Sequence, residues 1–497
     1  MTVILQKKNE CEVFIDAPQH ILYELQESFS FDVDGASFSP AYRKKYWDGK
    51  IRLVNITKQT IPAGLIYRLC KWLDKHQYEW EFKNNEFYGT PYEIDEKIHY
   101  EGVKLFMEKI STKTPREYQV QSVYQALKEY RKTILSPTAS GKSLMIYSIC
   151  RYMKTIGNRT LLVVPTKALV EQMTKDFEEY GWDTEENVHK IYEGHSIQTK
   201  APVTISTWQS IYTLDKNWFR QFDCVVADEC HQYKAKSIQG IIKKCPDAKW
   251  KYGFTGTLDG KNVNKLILEG LFGPIYTTTT YAELMENDFI AKLKVQIITL
   301  KHDYKKFNTY NDEIEYLFEH EGRNQFIVDL VQRLKGNVLI LFSRVDGHGI
   351  PLEDKFKSVT NRPVHIIHGD VKVDVREEVR SIAESSDNNI ILGSYGTMST
   401  GVNIKNLHHV VFASPSKSRI RVLQTIGRGL RKGKNKERCM IYDIADDLRG
   451  HTQRNNYTLN HLIERINYYV NESFEYQMFE LRVPDSQSDI NTNTLFP

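Results

Sequence analysis

From about residue 115 onward, short apolar runs rich in β-branched side chains alternate with longer segments of helical spacing. The first set of runs covers 132–136, 159–164, 202–206, 223–227 and 249–254. Runs this short and this continuously apolar predict strands covered on both faces, as in a parallel sheet. After about residue 290 the alternation restarts, with runs at 293–300, 337–342, 363–367, 389–393, 408–413 and 439–444. Two consecutive sets imply an α/β chain of two doubly wound parallel-sheet lobes, 111–285 and 286–450. They share no sequence repeat. Residues 304–323 read as one charged amphipathic surface helix between strands of the second lobe.

Residues 1–110 are patterned differently. Phe29, Phe31, Phe38, Tyr42, Tyr46 and Trp47 crowd together, and turn signals such as Asp34-Gly35 and Asp48-Gly49 separate short runs. A small α+β domain is expected, with Asp48-Gly49 as a hairpin turn. At the other end, Leu459, Leu462, Ile463, Ile466, Tyr469 and Val470 follow helical spacing. Residues 451–497 therefore read as a C-terminal helix and a polar tail.

Composition narrows the class. At 497 residues, 41% hydrophobic and 26% charged, the chain is an ordinary folded protein, and no apolar run approaches the ~18 residues that span a bilayer. The first ten residues lack a signal-peptide pattern. Seven cysteines without a CxxC pair fit buried thiols in a reducing compartment, not a zinc site or a disulfide framework. The net charge of +4 says little, but its distribution says more. Arg43, Lys44, Lys45, Lys50 and Arg52 face Asp48 alone, and residues 417–438 carry nine Lys or Arg against Glu437. Clusters of this kind attract phosphate backbones, although a solvated basic face has the same composition.

Three segments carry chemistry. Ser136-Pro137-Thr138-Ala139-Ser140-Gly141-Lys142-Ser143 follows a strand and opens a helix, where successive N–H groups wrap phosphate oxygens. Lys142 would reach the β/γ-phosphates and Ser143 would ligate Mg²⁺. Next, a strand ends in Asp228-Glu229-Cys230-His231. Asp228 suits a metal ligand, and Glu229 suits a base for the attacking water. In the second lobe, Gln424-Thr425-Ile426-Gly427-Arg428-Gly429-Leu430-Arg431 puts two arginines on one helix face. Guanidinium forks there could meet a transferring phosphoryl group, or simply nucleic acid.

The order of these motifs resembles that of superfamily 2 helicases. Arg116-Glu117-Tyr118-Gln119 is similar to the adenine-reading Q element, followed by the phosphate loop, Val164-Pro165-Thr166, Ser206-Thr207-Trp208-Gln209, the Asp228–His231 box and Thr255-Gly256-Thr257. Leu341-Phe342-Ser343-Arg344, His368-Gly369-Asp370, Gly396–Asn403 and the arginine helix continue the series. Phe29–Gly35, Trp47–Leu53 and Pro62–Leu65 further resemble the N-terminal domain of phage UvsW-type helicases.

The resemblance implies two tandem RecA-like lobes, a small N-terminal α+β domain and a C-terminal helical extension. It implies ATP and Mg²⁺ as cofactors, with Gln119, Thr138, Ala139, Ser140, Gly141, Lys142, Ser143 and Gly401 holding the nucleotide. Gln424, Arg428 and Arg431 join Lys142, Asp228 and Glu229 in catalysis. His231, Thr255, Gly256 and Thr257 relay the nucleotide state. Thr166, Thr207, Gln209, Arg344 and Thr397 would contact a DNA strand through its backbone. The implied partner is single-stranded, forked or branched DNA, remodelled by a monomer with 3′→5′ polarity in the cytoplasm of an infected host, alongside phage recombination or single-strand-binding proteins.

Two readings of the N-terminal aromatics stay open. Tyr42, Tyr46 or Trp47 could stack on bases at a branch. Alternatively Phe31, Phe38 and Trp47 form that domain's core, leaving Arg43, Lys44, Lys45 and Arg52 to touch DNA; this second arrangement is the one expected. A duplex translocase, an RNA helicase and a nucleotide-gated clamp would share many of the same motifs. Ser136 and Ala139 stand where many relatives have glycine, which predicts a stiffer loop.

Overall fold

The computed structural model describes residues 2–33, 35–83, 94–234, 236–258, 262–400, 404, 406–418, 422, 423, 425–427, 430, 438–452 and 454–483. The chain forms two compact units, residues 1–136 with 141–278, and residues 279–497 with 137–140.

The first unit begins with β1 (Val3–Lys7), β2 (Glu12–Asp16), β3 (Ser30–Asp32), β4 (Lys50–Arg52), β5 (Thr60–Pro62) and β6 (Trp80–Phe82). Four of these make a sheet in the order β5-β2-β1-β6, antiparallel except for β1 with β6. Alternation in β1 and β2 sends Val3, Leu5, Val13 and Ile15 inward against Leu22, Leu25, Phe29 and Leu69. That is the domain's core, and Phe38 has no place in it: its ring is 77% exposed, and Tyr46 is 84% exposed. Phe31 and Trp47 are half-buried. The core is thus mainly aliphatic, with Phe29, and not the expected set of Phe31, Phe38 and Trp47.

Asp48-Gly49 is not a hairpin turn either. β3 and β4 pair antiparallel, Phe31 opposite Ile51, but a long excursion containing the helical turn Pro40–Arg43 joins them. Gly49, at φ +83°, accepts from Val33 N–H and feeds the chain into β4.

The same unit continues with β7 (Arg131–Leu135), β8 (Thr160–Val164), β9 (Val188–Ile191), β10 (Val203–Thr207), β11 (Cys224–Ala227), β12 (Trp250–Thr255) and β13 (Ile275–Thr277). They form one parallel sheet, ordered β13-β7-β12-β11-β8-β10-β9. All five predicted runs are interior to that order, and the two edge strands are the ones the pattern missed. Both faces are covered, one around Val123, Ile146, Phe177 and Phe254, the other around Val163, Phe219, Ile241 and Phe272.

The second unit repeats the architecture with β14 (Lys292–Lys301), β15 (Val338–Phe342), β16 (Val364–Ile367), β17 (Ile390–Ser394), β18 (His409–Phe412), β19 (Arg438–Asp447) and β20 (Glu475–Arg482). The parallel order is β16-β17-β15-β18-β19-β14-β20. The C-terminal helix Tyr457–Asn471 packs on β19, and the chain then adds β20, a strand the pattern did not predict, to the sheet edge. The polar stretch 486–497 lies outside the described residues.

The single surface helix expected over 304–323 is two helices, Tyr310–Glu319 and Glu321–Arg333. Its charges are not all on the surface. Arg323 is fully buried, donating from Nε to Asp446 (2.9 Å) and from Nη2 to Ala413 O (2.7 Å). Buried Glu313 accepts from Tyr457 N–H and Thr458 N–H, capping the start of the C-terminal helix.

Candidate functional site

In a parallel sheet all strands point one way, so the segments following β7, β11, β12, β8 and β10 emerge along one edge. β11 pairs with both β8 and β12, and β12 with β7. This adjacency gathers the loop after β7, Asp228 after β11 and Thr255 at the end of β12.

The loop from Ser136 to Gly141 turns through two left-handed residues, Ala139 (φ +70°) and Gly141 (φ +82°), before the helix Lys142–Thr155. Holding alanine there costs on the order of 1 kcal/mol, so the stiffness expected from sequence is realised as a strained but defined turn. At φ +82° any other residue at Gly141 would be strained, and its Cβ, 2.4 Å from Gln119 Nε2, would also push the end of that side chain aside. Ser136 is buried: its N–H donates to Thr255 O (2.9 Å) and its hydroxyl accepts from Thr278 Oγ1 (2.9 Å). Serine therefore fits where glycine was expected. Lys142 Nζ lies 3.3 Å from Ser136 O, folded back along its own loop.

Gln119 is buried, and its Oε1 accepts from Arg116 N–H (2.9 Å), closing a capping box at the helix Glu117–Glu129. Its amide nitrogen faces Gly141, so the Q element braces the phosphate loop. Ser143 Oγ meets Tyr180 Oη at 2.7 Å, a partner 37 residues away that no local pattern signals.

Asp228 is buried with its Oδ1 accepting from Glu229 N–H (2.9 Å). Burial first, and then the neighbouring Glu229 carboxylate, push its pKa up to about 7 against the pull of Lys142. Two adjacent carboxylates whose charge is this poorly compensated suit a hard cation with oxygen ligands, and Ser143 Oγ offers another such donor. The residues present fit Mg²⁺.

Glu229 adopts φ +48°, and its Oε2 lies 3.3 Å from His231 Nδ1. The same nitrogen is 2.9 Å from Thr255 Oγ1, whose hydroxyl donates to Thr257 O (2.9 Å). With that hydroxyl proton committed to Thr257, the His231–Thr255 bond needs the proton on Nδ1, so the imidazole donates. A continuous chain thus runs Glu229, His231, Thr255, Thr257. Cys230 packs inside, where burial pushes its thiol well above the ordinary range, consistent with a packing role.

Along the same edge, Thr207 stands opposite Val164 in the β10–β8 register. Thr166 caps the helix Lys167–Glu179 through Leu169 N–H (3.3 Å). Gln209 is exposed and reaches Pro165 O at 3.5 Å, and Thr207 Oγ1 meets Ser210 Oγ at 2.9 Å. In the second unit, Arg344 and Thr397 follow the paired strands β15 and β17. Arg344 is held by Glu315 (2.9 Å) and Asn311 (3.3 Å), partners that the sequence pattern does not single out. Thr397 is buried against Ser394. Gly401, Gln424, Arg428 and Arg431 lie outside the described residues.

Of the N-terminal residues, Arg43, Lys44 and Lys45 are exposed on the excursion, next to Phe38, Tyr42 and Tyr46. Arg52 is engaged by Asp48, and this pairing pulls the carboxyl down to about 2. Trp47 spends its indole N–H on Lys50 O (2.8 Å), so it anchors the turn.

Residues 3–83 match the family model for the N-terminal domain of DNA helicase UvsW, 112–260 that for the res subunit of type III restriction enzymes, and 322–433 that for the helicase conserved C-terminal domain. The chain is 34% identical over 496 residues to the ATP-dependent DNA helicase uvsW of Enterobacteria phage T4, covering 94% of this chain and 97% of that one. It is 25% identical to a putative ATP-dependent RNA helicase of Acanthamoeba polyphaga mimivirus, over 87% and 86% of the two chains. The crystal structure of T4 UvsW aligns with 97% of this chain and 100% of its own, at 32% identity and a TM-score of 0.52. A fragment of a putative HsdR subunit of a type I restriction enzyme from Vibrio vulnificus covers 78% of this chain at 18% identity and a TM-score of 0.57, a likeness of fold.

Proposed function

The chain belongs to the UvsW family of ATP-dependent DNA helicases, and from that premise we propose that it remodels branched DNA, driving forks, four-way junctions and R-loops by 3′→5′ movement. The observation that carries this reading is the excursion between β3 and β4. It exposes Phe38, Tyr42 and Tyr46 beside Arg43, Lys44 and Lys45, which among the described residues form no ion pair. Cations of this kind track a backbone, and an exposed ring stacks on an unpaired base with about 1–3 kcal/mol per base, whatever its identity. Exposure of Tyr42 and Tyr46 favours stacking over the core arrangement, with Phe38 joining them and Trp47 holding the turn.

In the nucleotide site, Thr138 to Ser143 wrap the phosphates, Lys142 swings from Ser136 O to the β/γ-phosphates, and Gln119 reads the base edge. Ser143 and Asp228 would hold Mg²⁺, which when bound supplies charge neutralisation on the phosphate oxygens. Glu229 orients and deprotonates the attacking water, while Gln424, Arg428 and Arg431 stabilise the charge that grows on the transferring group, with Gly401 close to the nucleotide. Because His231 donates toward both Glu229 and Thr255, a change at the water-activating carboxylate alters the bonding of Thr255 and Thr257. Thr166, Thr207, Gln209, Arg344 and Thr397 hold the strand by its backbone without reading sequence.

Branch movement needs little net energy. Each step breaks one base pair, with about 1.4 kcal/mol of stacking at stake, and forms another, so the motor chiefly supplies direction. The enzyme would act as a monomer in the cytoplasm of an infected host, near recombination and single-strand-binding proteins. A panel of labelled forks, four-way junctions and R-loops incubated with enzyme and ATP tests the reading. Hydrolysis that leaves every branch intact would make the chain a duplex translocase instead.

A further inference from the structure

The N-terminal domain and the nucleotide-binding lobe belong to one compact unit, and main chain meets main chain at their seam. Residues Thr60 to Leu65 run over the end of the helix Asn262–Phe272. A Cβ added to Gly64 would stand 1.9 Å from Glu269 O and 2.8 Å from Gly273 N, so no other residue fits without prising the two apart. Arg68, in the helix that follows, closes a two-pronged ion pair on the buried Glu269 carboxylate, with Nη2–Oε1 at 3.0 Å.

A second patch adjoins the first, since Gly273, just past the helix Asn262–Phe272, packs closely on Arg131. Arg131 Nη2 donates to both Glu10 O (2.6 Å) and Glu10 Oε2 (2.7 Å) in a pair that is nearly sealed from solvent. Glu10 N–H donates to Pro246 O (2.8 Å), and the Cys11 thiol to Ile242 O (3.3 Å).

Both patches lie one element away from the chemistry. Arg131 opens β7, whose far end becomes the phosphate loop. The helix Asn262–Phe272 ends in a ring that fills the space over Gly253 in β12: a Cβ there would lie 2.7 Å from Phe272 and 3.1 Å from Cys230 Sγ, the thiol beside Asp228 and Glu229.

We propose that the N-terminal domain is a fixed extension of the nucleotide-binding lobe, clamped through Gly64, Arg68–Glu269 and Glu10–Arg131, and that this clamp carries nucleotide-driven movement to DNA held at Phe38–Tyr46. A tethered domain would swivel and dissipate each displacement, whereas a clamped one moves as the lobe moves. The proposal rests on the branch-remodelling reading and assigns Arg68 and Glu269 as positioning residues, remote from nucleotide and strand.

The test uses the full chain with Arg68→Glu, Glu269→Arg and the two combined. Fork processing and single-strand-stimulated ATP hydrolysis are measured side by side, with hydrogen exchange over 60–75 and 262–272. Each single reversal should slow fork processing roughly two- to thirtyfold, speed exchange at the seam and leave hydrolysis unchanged. The charge swap should restore both fork processing and protection. The milder Arg68→Gln gives the same direction if a reversal misfolds. Single variants that process forks normally, a swap that rescues nothing, or hydrolysis falling in step with fork processing would each overturn the clamp. A wild-type enzyme that hydrolyses ATP but is inert on forks would instead sink the branch-remodelling reading, and exchange at the seam would still judge the clamp.

Discussion

Asp228→Asn should stabilise the nucleotide-free protein while abolishing its turnover. Asp228 sits in a buried site beside Glu229, and its pKa rises from 3.8 to about 7. A carboxyl whose folded pKa is raised binds its proton more tightly in the native state than in the unfolded one. The penalty is therefore absent below about pH 4, grows through pH 7 and is complete above it. A displacement of that size corresponds to on the order of 4 kcal/mol. Asparagine keeps the volume and the acceptor for Glu229 N–H but removes the charge. For a unit of this size, about 2 °C accompanies each kcal/mol, so Tm in EDTA at pH 8 should rise by roughly 5–8 °C, and by less than half of that at pH 5. Scanning fluorimetry across that range measures it. Excess Mg²⁺ alone should raise the wild type toward the variant's level while leaving the variant nearly unmoved. Equal melting at pH 8, or a gap that ignores pH, would refute the view that Asp228 is held at a cost for the cation it is meant to bind.

Three further outcomes are expected. Lys142→Ala should abolish ATP hydrolysis with DNA affinity largely intact by anisotropy; an active variant would remove the phosphate loop from the mechanism. His231→Ala should keep basal hydrolysis but lose DNA stimulation by about fivefold or more, read as kcat with and without single strands; unchanged stimulation would mean the imidazole is only packing. Arg323→Met should cost about 3–5 kcal/mol in urea unfolding, because it leaves the buried Asp446 carboxylate with only His302 beside it, and a loss below about 1 kcal/mol would contradict that.

How much of this was legible beforehand follows from burial. Interior strands such as β8 and β11 are buried at every position and almost wholly apolar because helices cover both faces, so they stand out in the sequence. β9, β13 and β20 are all edges, where one neighbour suffices and polar residues are tolerated, and all three escaped notice. The phosphate loop and the Asp228–His231 box were readable because their chemistry is local in sequence. Tyr180 on Ser143, Asn311 and Glu315 on Arg344, and Arg68 on Glu269 were not, since each pair is joined only by folding. Charge misled in one direction as well: Glu313 and Arg323 looked like a wet helix face, yet each is buried with a partner more than a hundred residues away.

The position of β14 has a consequence for how the second unit is made. It lies between β19 and β20, both of which leave the ribosome long after it. At about 5–20 residues per second, β14 waits on the order of ten seconds for its first neighbour and longer for its second. Throughout that interval Val295, Ile297, Ile298 and Leu300, all sealed in the finished protein, have no sheet to join. Nascent chains halted before residue 475 should accordingly be captured by holdase chaperones, whereas completed ones should escape.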